Sequence, residues 1–169
     1  MHTVYLSLGS NLGDRAAHIA RALDLLAARG IRIARTSSLW ETEPQEFERQ
    51  PWFLNMVAEA ETGLFPRQLL HELLRIEKEM GRRRLRPKGP RIIDIDILLF
   101  AGFVIRVPEL EIPHPRLSHR RFVLQPLAEL APDLKHPVTR ATVREMLADV
   151  SNQTVREPRG LTPPPGASS

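Results

Sequence analysis

The order in which strand and helix patterns follow one another is the feature that most constrains the fold of this chain. Apolar residues alternate along a half-buried strand and recur every three or four positions on a helix face. The chain gives strand, helix, strand, strand, helix, strand and strand, with the patterns at 3–8, 16–26, 31–40, 53–62, 66–80, 92–100 and 103–107. This order favours a mostly antiparallel sheet with helices packed against it, a ferredoxin-like layout of the α+β class, over strictly alternating βαβ units.

Capping residues support the boundaries of the first two helices. Asn11 or Asp14 can cap the first helix, and Gly30 ends it. Pro66 stands at the first position of the second helix and Gly81 follows its last turn.

Turn signals organise the second half of the chain. Ala101-Gly102 predicts a tight turn that makes 103–107 the hairpin partner of the strand at 92–100. A proline-rich link then leads to 122–130, which we expect to be partly helical, and a capping box opens a last helix at 142–150.

The length of 169 residues predicts a single domain. We expect this domain to cover residues 1–156. Residues 157–169 are rich in proline and cannot build a core, so they predict a mobile or extended tail.

Several classes of protein are excluded by composition. No stretch approaches the roughly 20 apolar residues of a membrane span, and the first residues lack a basic region followed by a cleavage site. The chain has no cysteine, which excludes disulfide scaffolds, thiolate zinc sites and cysteine nucleophiles. We therefore expect a cytoplasmic, soluble monomer.

Basic charge is concentrated in one segment, residues 81–91. The chain has a net charge of +4, and this segment holds six of its 24 basic residues and no acidic residue. The remaining 18 basic residues are balanced by 20 acidic ones, so the rest of the chain is slightly acidic. The segment predicts an anionic partner, either a phosphorylated small molecule or a nucleic acid.

Two carboxylates, Asp94 and Asp96, interrupt the apolar strand at 92–100. On a strand, this spacing places both on one face with their Cα atoms about 6.6 Å apart. Like charges among apolar residues need a compensating cation, and hard oxygen ligands suit Mg²⁺. An exposed strand face, or ion pairs with nearby arginines, would explain the same pattern. The adjacent basic segment favours the metal, because carboxylates for a cation and arginines for phosphate then meet at one place.

The basic segment contains no aromatic residue on which a nucleic-acid base could stack. Its Gly and Pro residues favour a loop that closes over a ligand. A phosphate ligand is therefore favoured, and an RNA-binding module of ferredoxin-like fold is the alternative.

Two further groups of residues are open to more than one interpretation. His114 lies between two prolines, with a His-Arg-Arg cluster at 119–121, and a lone histidine is more often structural than catalytic. Phe53 and Asn55 share one strand face and offer a ring beside an amide. Ordinary packing explains them equally well.

Five ordered motifs resemble those of the 6-hydroxymethyl-7,8-dihydropterin pyrophosphokinases of folate biosynthesis. They are Leu-Gly-Ser-Asn-Leu-Gly at 8–13, Glu-Thr-Glu-Pro at 41–44, Gln-Pro-Trp-Phe-Leu-Asn at 50–55, Gly-Pro-Arg-Ile-Ile-Asp-Ile-Asp-Ile at 89–97 and Pro-His at 113–114. The resemblance runs from about residue 3 to residue 150. It implies a ferredoxin-like α/β/α fold, with helices on both sides of the mostly antiparallel sheet. It also implies the transfer of diphosphate from ATP to the hydroxymethyl oxygen of the pterin, with release of AMP.

The resemblance also implies a role for each matching position. Asp94 and Asp96 would hold two Mg²⁺ ions that arrive with ATP, and Arg82, Arg91 and Asp96 would act in catalysis. Residues contacting ATP would be Glu77, Arg82, Arg84, Lys88, Arg91, Ile97, His114 and Arg120, with Arg86 as an alternative to Lys88. Residues contacting the pterin would be Thr42, Pro44, Gln45, Phe53, Asn55, Asp94, Asp96 and Phe122, of which the two phenylalanines would sandwich the ring.

Overall fold

The computed structural model describes residues 1–43, 50–81 and 90–158. Its strands are β1 (His2–Ser10), β2 (Ile31–Thr36), β3 (Trp40–Thr42), β4 (Phe53–Thr62), β5 (Asp94–Phe100), β6 (Ile105–Val107), β7 (Leu110–Ile112) and β8 (Val155–Arg156). Its helices are α1 (Arg15–Ala28), α2 (Pro66–Glu79), α3 (Arg121–Leu130) and α4 (Val143–Asp149), with a 3₁₀ turn at Leu117–His119.

An antiparallel sheet forms the centre of the fold. Within the described residues its strands follow the order β5-β1-β4-β3-β8, and β2 also pairs with β4. Strand β1 pairs with β4 along its whole length, from His2 opposite Thr62 to Ser10 opposite Leu54. The predicted mostly antiparallel α+β fold is confirmed.

The two faces of the sheet carry separate cores. On β4, Leu54 and Met56 belong to the core that the apolar residues of α1 and α2 complete. Val57 points to the opposite face and packs with residues of α3 and α4. The alternation predicted for this strand is confirmed, and it places helices on both sides of the sheet because each apolar face must be covered.

Local signals set the ends of the helices. The carboxylate of Asp14 accepts a hydrogen bond from the Ala17 amide at 3.1 Å and so caps α1. Thr142 and Glu145 form the predicted capping box of α4. Gly81 follows α2 with a φ of +88°, a left-handed conformation that glycine adopts without strain.

The hairpin predicted for residues 103–107 is wrong. Strand β6 pairs with β7, with Ile105 opposite Ile112, and not with β5. The tight turn predicted at Ala101-Gly102 is present, since the Phe103 amide donates to the Phe100 carbonyl at 3.0 Å, and the Phe103 ring stacks on Phe100 with centroids 5.5 Å apart. One edge of β5 is occupied by β1, and on β5 the carbonyl of Leu98 accepts the His114 amide at 2.9 Å. The turn that closes the observed hairpin of β6 and β7 lies inside the proline-rich link, at 108–109.

A β-bulge interrupts the pairing of β5 with β1. Leu6 lies opposite Ile97 and Tyr5 opposite Leu99, so Leu98 is an extra residue in β5. Leu98 and Leu99 consequently both pack in the core beneath α3 and α4.

The described chain ends just beyond β8, a two-residue strand that the sequence did not predict and that pairs with β3. Residues 159–169 lie outside the described residues, so the division into a domain and a tail stays a prediction. Over 1–43, 50–81 and 90–158, no helix is long and apolar enough to cross a membrane.

Candidate active site

A cleft opens on the α3 side of the sheet, where β1 ends and β4 and β5 begin. It contains about 760 Å³ of space, part of it continuous with solvent. Eight of the residues predicted from the sequence line it, namely Thr42, Phe53, Asn55, Arg91, Asp94, Asp96, Arg120 and Phe122.

Strand β1 brings these residues together because it pairs with both β4 and β5. Gly9 lies opposite Asn55 on one side and opposite Asp94 on the other, and Ser7 lies opposite Asp96. Directly opposed residues point to the same face of a sheet. The two aspartates therefore share one face, as predicted, and Asn55 shares it with them.

Asn55 is held in one orientation at the floor of the cleft. Its side chain is buried, and Nδ2 donates a hydrogen bond to Thr42 Oγ1 at 2.6 Å. Oδ1 lies against Gly9, where a Cβ atom would approach it to 2.7 Å. The missing side chain at Gly9 therefore provides the space for the Asn55 amide.

The two aspartates are half-buried, and Asp94 forms an ion pair with Arg91. Arg91 Nη1 lies 3.0 Å from Asp94 Oδ2, so an ion pair with a nearby arginine, the alternative explanation from the sequence, holds for Asp94. Within the described residues no three His, Asp or Glu side chains are grouped to hold a metal ion. A divalent cation here would need further oxygen ligands from phosphate or water, which is the usual situation for Mg²⁺.

Asn11 ties together two segments that border the cleft. Its backbone N–H donates to the Arg91 carbonyl at 3.0 Å, and its side-chain Oδ1 accepts the backbone N–H of Arg91 at 2.7 Å. Its Nδ2 donates to Gln50 Oε1 at 2.7 Å and to the Pro51 carbonyl at 3.1 Å. Asn11 thus fixes the start of β5 against the residues before β4.

His114 is a neutral hydrogen-bond donor near the cleft. Burial, with the charges of Arg120 and Arg116, lowers its pKa to about 4, and Asp94 opposes the shift. Its Nδ1 accepts the backbone amide of Arg116 at 3.1 Å, so in the neutral ring the proton is on Nε2. At neutral pH the side chain can donate to a phosphate oxygen but is a poor general base.

The buried neutral form of His114 predicts a loss of stability in acid. The unfolded state, with a pKa near 6.5, binds the proton before the folded state does, so the stabilisation is complete above this pH and is lost as the pH falls toward 4. Between about pH 7 and pH 4.5, the wild type should lose about 2 kcal/mol more than His114→Gln, after discounting for partial exposure. Urea denaturation of both proteins at each pH checks this. An equal loss in the two would contradict it.

Arg120 and two phenylalanines form the remaining wall. Burial, followed by the charge of Arg116, lowers the pKa of Arg120, and Asp96 and Asp94 raise it. Its guanidinium lies 5.2 Å from the ring centroid of Phe122. Phe53 and Phe122 both line the cleft, and the sandwich of a ring between them stays a prediction.

Two of the other predicted residues, Ile97 and Glu77, lie away from the cleft. Ile97 is buried among the residues that pack with α1 and α2, and Glu77 is buried in the last turns of α2. Neither side chain lines the cleft, and their contacts with ATP stay predictions. Pro44, Gln45, Arg82, Arg84, Arg86 and Lys88 lie outside the described residues.

Five lining residues had no role assigned from the sequence, namely Ser7, Gly9, Glu43, Gln50 and Arg116, although Gly9, Glu43 and Gln50 lie within the quoted motifs. Ser7 and Gly9 belong to a strand that alone gives no indication of its neighbours, and the pairing register reveals them. Arg116 could have been found, because it lies between His114 and the His-Arg-Arg cluster at 119–121.

Comparison with known proteins identifies relatives over most of the chain. Residues 5–132 match the family described as 7,8-dihydro-6-hydroxymethylpterin-pyrophosphokinase. The 2-amino-4-hydroxy-6-hydroxymethyldihydropteridine pyrophosphokinase of Aquifex aeolicus is 44% identical over 86% of this chain and 90% of its own length. The folic acid synthesis protein fol1 of Pneumocystis carinii is 43% identical over 90% of this chain, which spans only 21% of that longer protein.

A solved structure has the same fold. The Plasmodium falciparum HPPK-DHPS crystal structure with pteroate superimposes with a TM-score of 0.71 and 20% sequence identity. The alignment covers 88% of this chain and 42% of that one. At this identity, the comparison supports the fold alone.

Proposed function

Since this chain belongs to the 7,8-dihydro-6-hydroxymethylpterin-pyrophosphokinase family, we propose that it transfers diphosphate from ATP to the hydroxymethyl oxygen of the pterin in folate biosynthesis. The products are the pterin diphosphate and AMP. One observation carries this proposal: a single cleft holds a buried, oriented amide and aromatic rings together with arginines and a pair of carboxylates.

The amide and the rings suit a flat, polar heterocycle. Asn55 keeps Oδ1 in a fixed position because Nδ2 is engaged by Thr42. Phe53 and Phe122 supply apolar faces for the ring. An amide with aromatic neighbours binds the edge and the faces of one ring system, and this combination supports a pterin.

The positive groups suit a polyphosphate. Arg91, Arg116 and Arg120 line the cleft, and His114 has its Nε2 proton available as a donor. Phosphoryl transfer depends largely on holding and neutralising the phosphate oxygens, which arginine does with several donors in one plane. We assign this group of residues to the phosphates of ATP.

The carboxylates fit Mg²⁺. Asp94 and Asp96 are hard oxygen donors on one strand face. The arginines beside them would hold the phosphates of ATP, whose oxygen atoms would supply further ligands to the ion. Bound there, Mg²⁺ supplies Lewis-acid polarisation of phosphate oxygens and of the attacking hydroxyl. We propose that Asp94 and Asp96 hold two ions that arrive with ATP.

The chain's own residues then orient the two substrates. Asn55 and the phenylalanines direct the hydroxymethyl group toward the carboxylate side of the cleft, and the arginines hold the triphosphate in line with it. His114, with a pKa of about 4, is poorly suited to remove the hydroxyl proton.

The assay that tests this function identifies the nucleotide product. The protein is incubated with ATP, Mg²⁺ and 6-hydroxymethyl-7,8-dihydropterin, and the nucleotides are separated by chromatography. We expect AMP and pterin diphosphate in equal amounts, because the β,γ-diphosphate moves as a unit.

Formation of ADP, or no turnover by a folded protein, would overturn the proposal. The RNA-binding alternative is tested with the same preparation. It requires oligonucleotide binding that weakens steeply with salt and does not need ATP. We expect no such binding, because Asp94 and Asp96 repel phosphates that bring no metal.

A further inference from the structure

An ionic cluster around the buried carboxylate of Glu41 lies on the face of the sheet opposite the cleft. Glu41 on β3 is 5% exposed and receives hydrogen bonds from two arginines. Arg15 Nη2 lies 2.9 Å from Glu41 Oε1, and Arg156 places Nε and Nη2 at 3.0 and 2.8 Å from Glu41 Oε2. Burial favours the neutral acid, but hydrogen bonds from Arg156 and Arg15 outweigh it and lower the pKa of Glu41. The carboxylate is therefore ionised at neutral pH.

The same two arginines hold Trp52, which precedes β4. The guanidinium of Arg156 stacks on the indole ring, 3.7 Å from its centroid. Arg15 Nη1 donates to the Trp52 carbonyl at 2.9 Å. A cation stacked at this distance on an indole is a favourable cation–π contact, so the ring and the main chain of Trp52 are both fixed.

The cluster holds the two residues that immediately precede two cleft residues. Glu41 is followed by Thr42 and Trp52 by Phe53, and Thr42 lies opposite Phe53 in the pairing of β3 with β4. Because side chains alternate along a strand, a group anchored on one face sets the main chain that carries the next side chain into the cleft. The cluster thus positions, from the opposite face of the sheet, the part of the cleft that we propose binds the pterin.

Arg156 contributes to this arrangement from the far end of the chain. It lies on β8, where it is the partner of Glu41 in the ladder, and β8 joins the sheet through two residue pairs. Its guanidinium contacts both Glu41 and Trp52, so it is the side chain that joins the last strand to the two anchors.

We propose that Arg156 is a positioning residue for the pterin, which it places through Glu41 and Trp52 without touching it. This inference rests on the proposed function. Arg156 then differs in role from the arginines assigned to phosphate, because loss of the Arg156 side chain should weaken pterin binding and leave ATP binding unchanged.

The test measures the dissociation constants of both substrates for Arg156→Met in the full-length protein. Methionine keeps a long apolar side chain over Trp52 and removes the charge and the hydrogen bonds. We expect the dissociation constant for 6-hydroxymethyl-7,8-dihydropterin to rise about tenfold, the size expected for a few lost contacts to charged groups, while that for ATP stays within about twofold. Arg156→Lys, which retains the charge, should restore about half of the loss on a logarithmic scale.

An independent measurement follows the cluster without substrate. The chain contains two tryptophans, and the indole N–H resonance of Trp52 should shift in Arg156→Met while that of Trp40 stays in place. Arg32→Met is the matched control, because it breaks an ion pair with Glu61 on the same sheet away from the cleft. It should change neither dissociation constant.

The contrary outcomes distinguish a failure of this inference from a failure of the proposed function. An unchanged pterin constant in Arg156→Met despite a shifted Trp52 resonance would overturn the inference, as would an equal loss of ATP and pterin binding. If Arg156→Met does not fold, Arg156→Lys decides by the same comparison. Failure of the wild type to bind the pterin would instead overturn the proposed function, and the inference with it.

Discussion

Asp96→Asn should lower kcat by at least about 10³-fold, the loss seen when a group that stabilises transition-state charge is removed. Asparagine has the same shape as aspartate, so the pairing of β5 with β1 at Ser7 should persist. It lacks the negative charge that we assign to metal binding. The substitution also removes the repulsion between two carboxylates on one strand face, so we expect the free energy of unfolding to change little.

Two measurements check this outcome together. Steady-state turnover to AMP gives the rate, and urea denaturation gives the stability. Asp133→Asn is a suitable control, because this carboxylate is exposed and pairs with Arg144 on the surface. Near-normal turnover by Asp96→Asn would show that the metal assignment is wrong.

Gly9→Ala should weaken pterin binding about 100-fold, corresponding to about 2.7 kcal/mol. The new Cβ would lie 2.7 Å from Asn55 Oδ1 and 3.6 Å from the Phe53 ring. Asn55 cannot move without losing its hydrogen bond to Thr42. One added methyl group therefore displaces the amide on which pterin recognition depends, and a displaced buried amide costs most of its binding contribution.

The control for this variant is another glycine with free space around it. Gly102→Ala introduces a Cβ with no atom within 4 Å, at a backbone conformation open to other residues. Isothermal titration with the pterin should give the wild-type affinity for Gly102→Ala and a much weaker one for Gly9→Ala. Equal affinities would show that Asn55 is not held in place by the absence of a side chain at Gly9.

Local periodicity predicted most of the secondary structure, because a helix or strand with a buried face carries apolar residues at regular intervals in the sequence. Strand β4 shows this most clearly, with Leu54 and Met56 in one core and Val57 in the other. No such pattern indicates the pairing partner of β6. Whether it joins β5 or β7 depends on which edge is available, and that is set by contacts remote in the sequence.

The candidate site divides in the same way. Asp94 and Asp96 could be placed on one face from their spacing, since a strand has a fixed period of two. The fit of Asn55 over Gly9 could not be predicted, because it depends on the register between β1 and β4. The cluster at Glu41 could not be predicted either, since its arginines at positions 15 and 156 are far apart in the sequence.

The bulge at Leu98 sets where the length of β5 can vary during evolution or in design. Losing Ile95, between the two aspartates, would send Asp94 to the opposite face of the sheet, since each step along a strand reverses the side chain. Loss of Leu98 itself would restore regular pairing and leave both carboxylates in the cleft. It would also remove the carbonyl that holds the His114 amide. A shortened β5 would therefore keep its carboxylates and have to find a new anchor for His114.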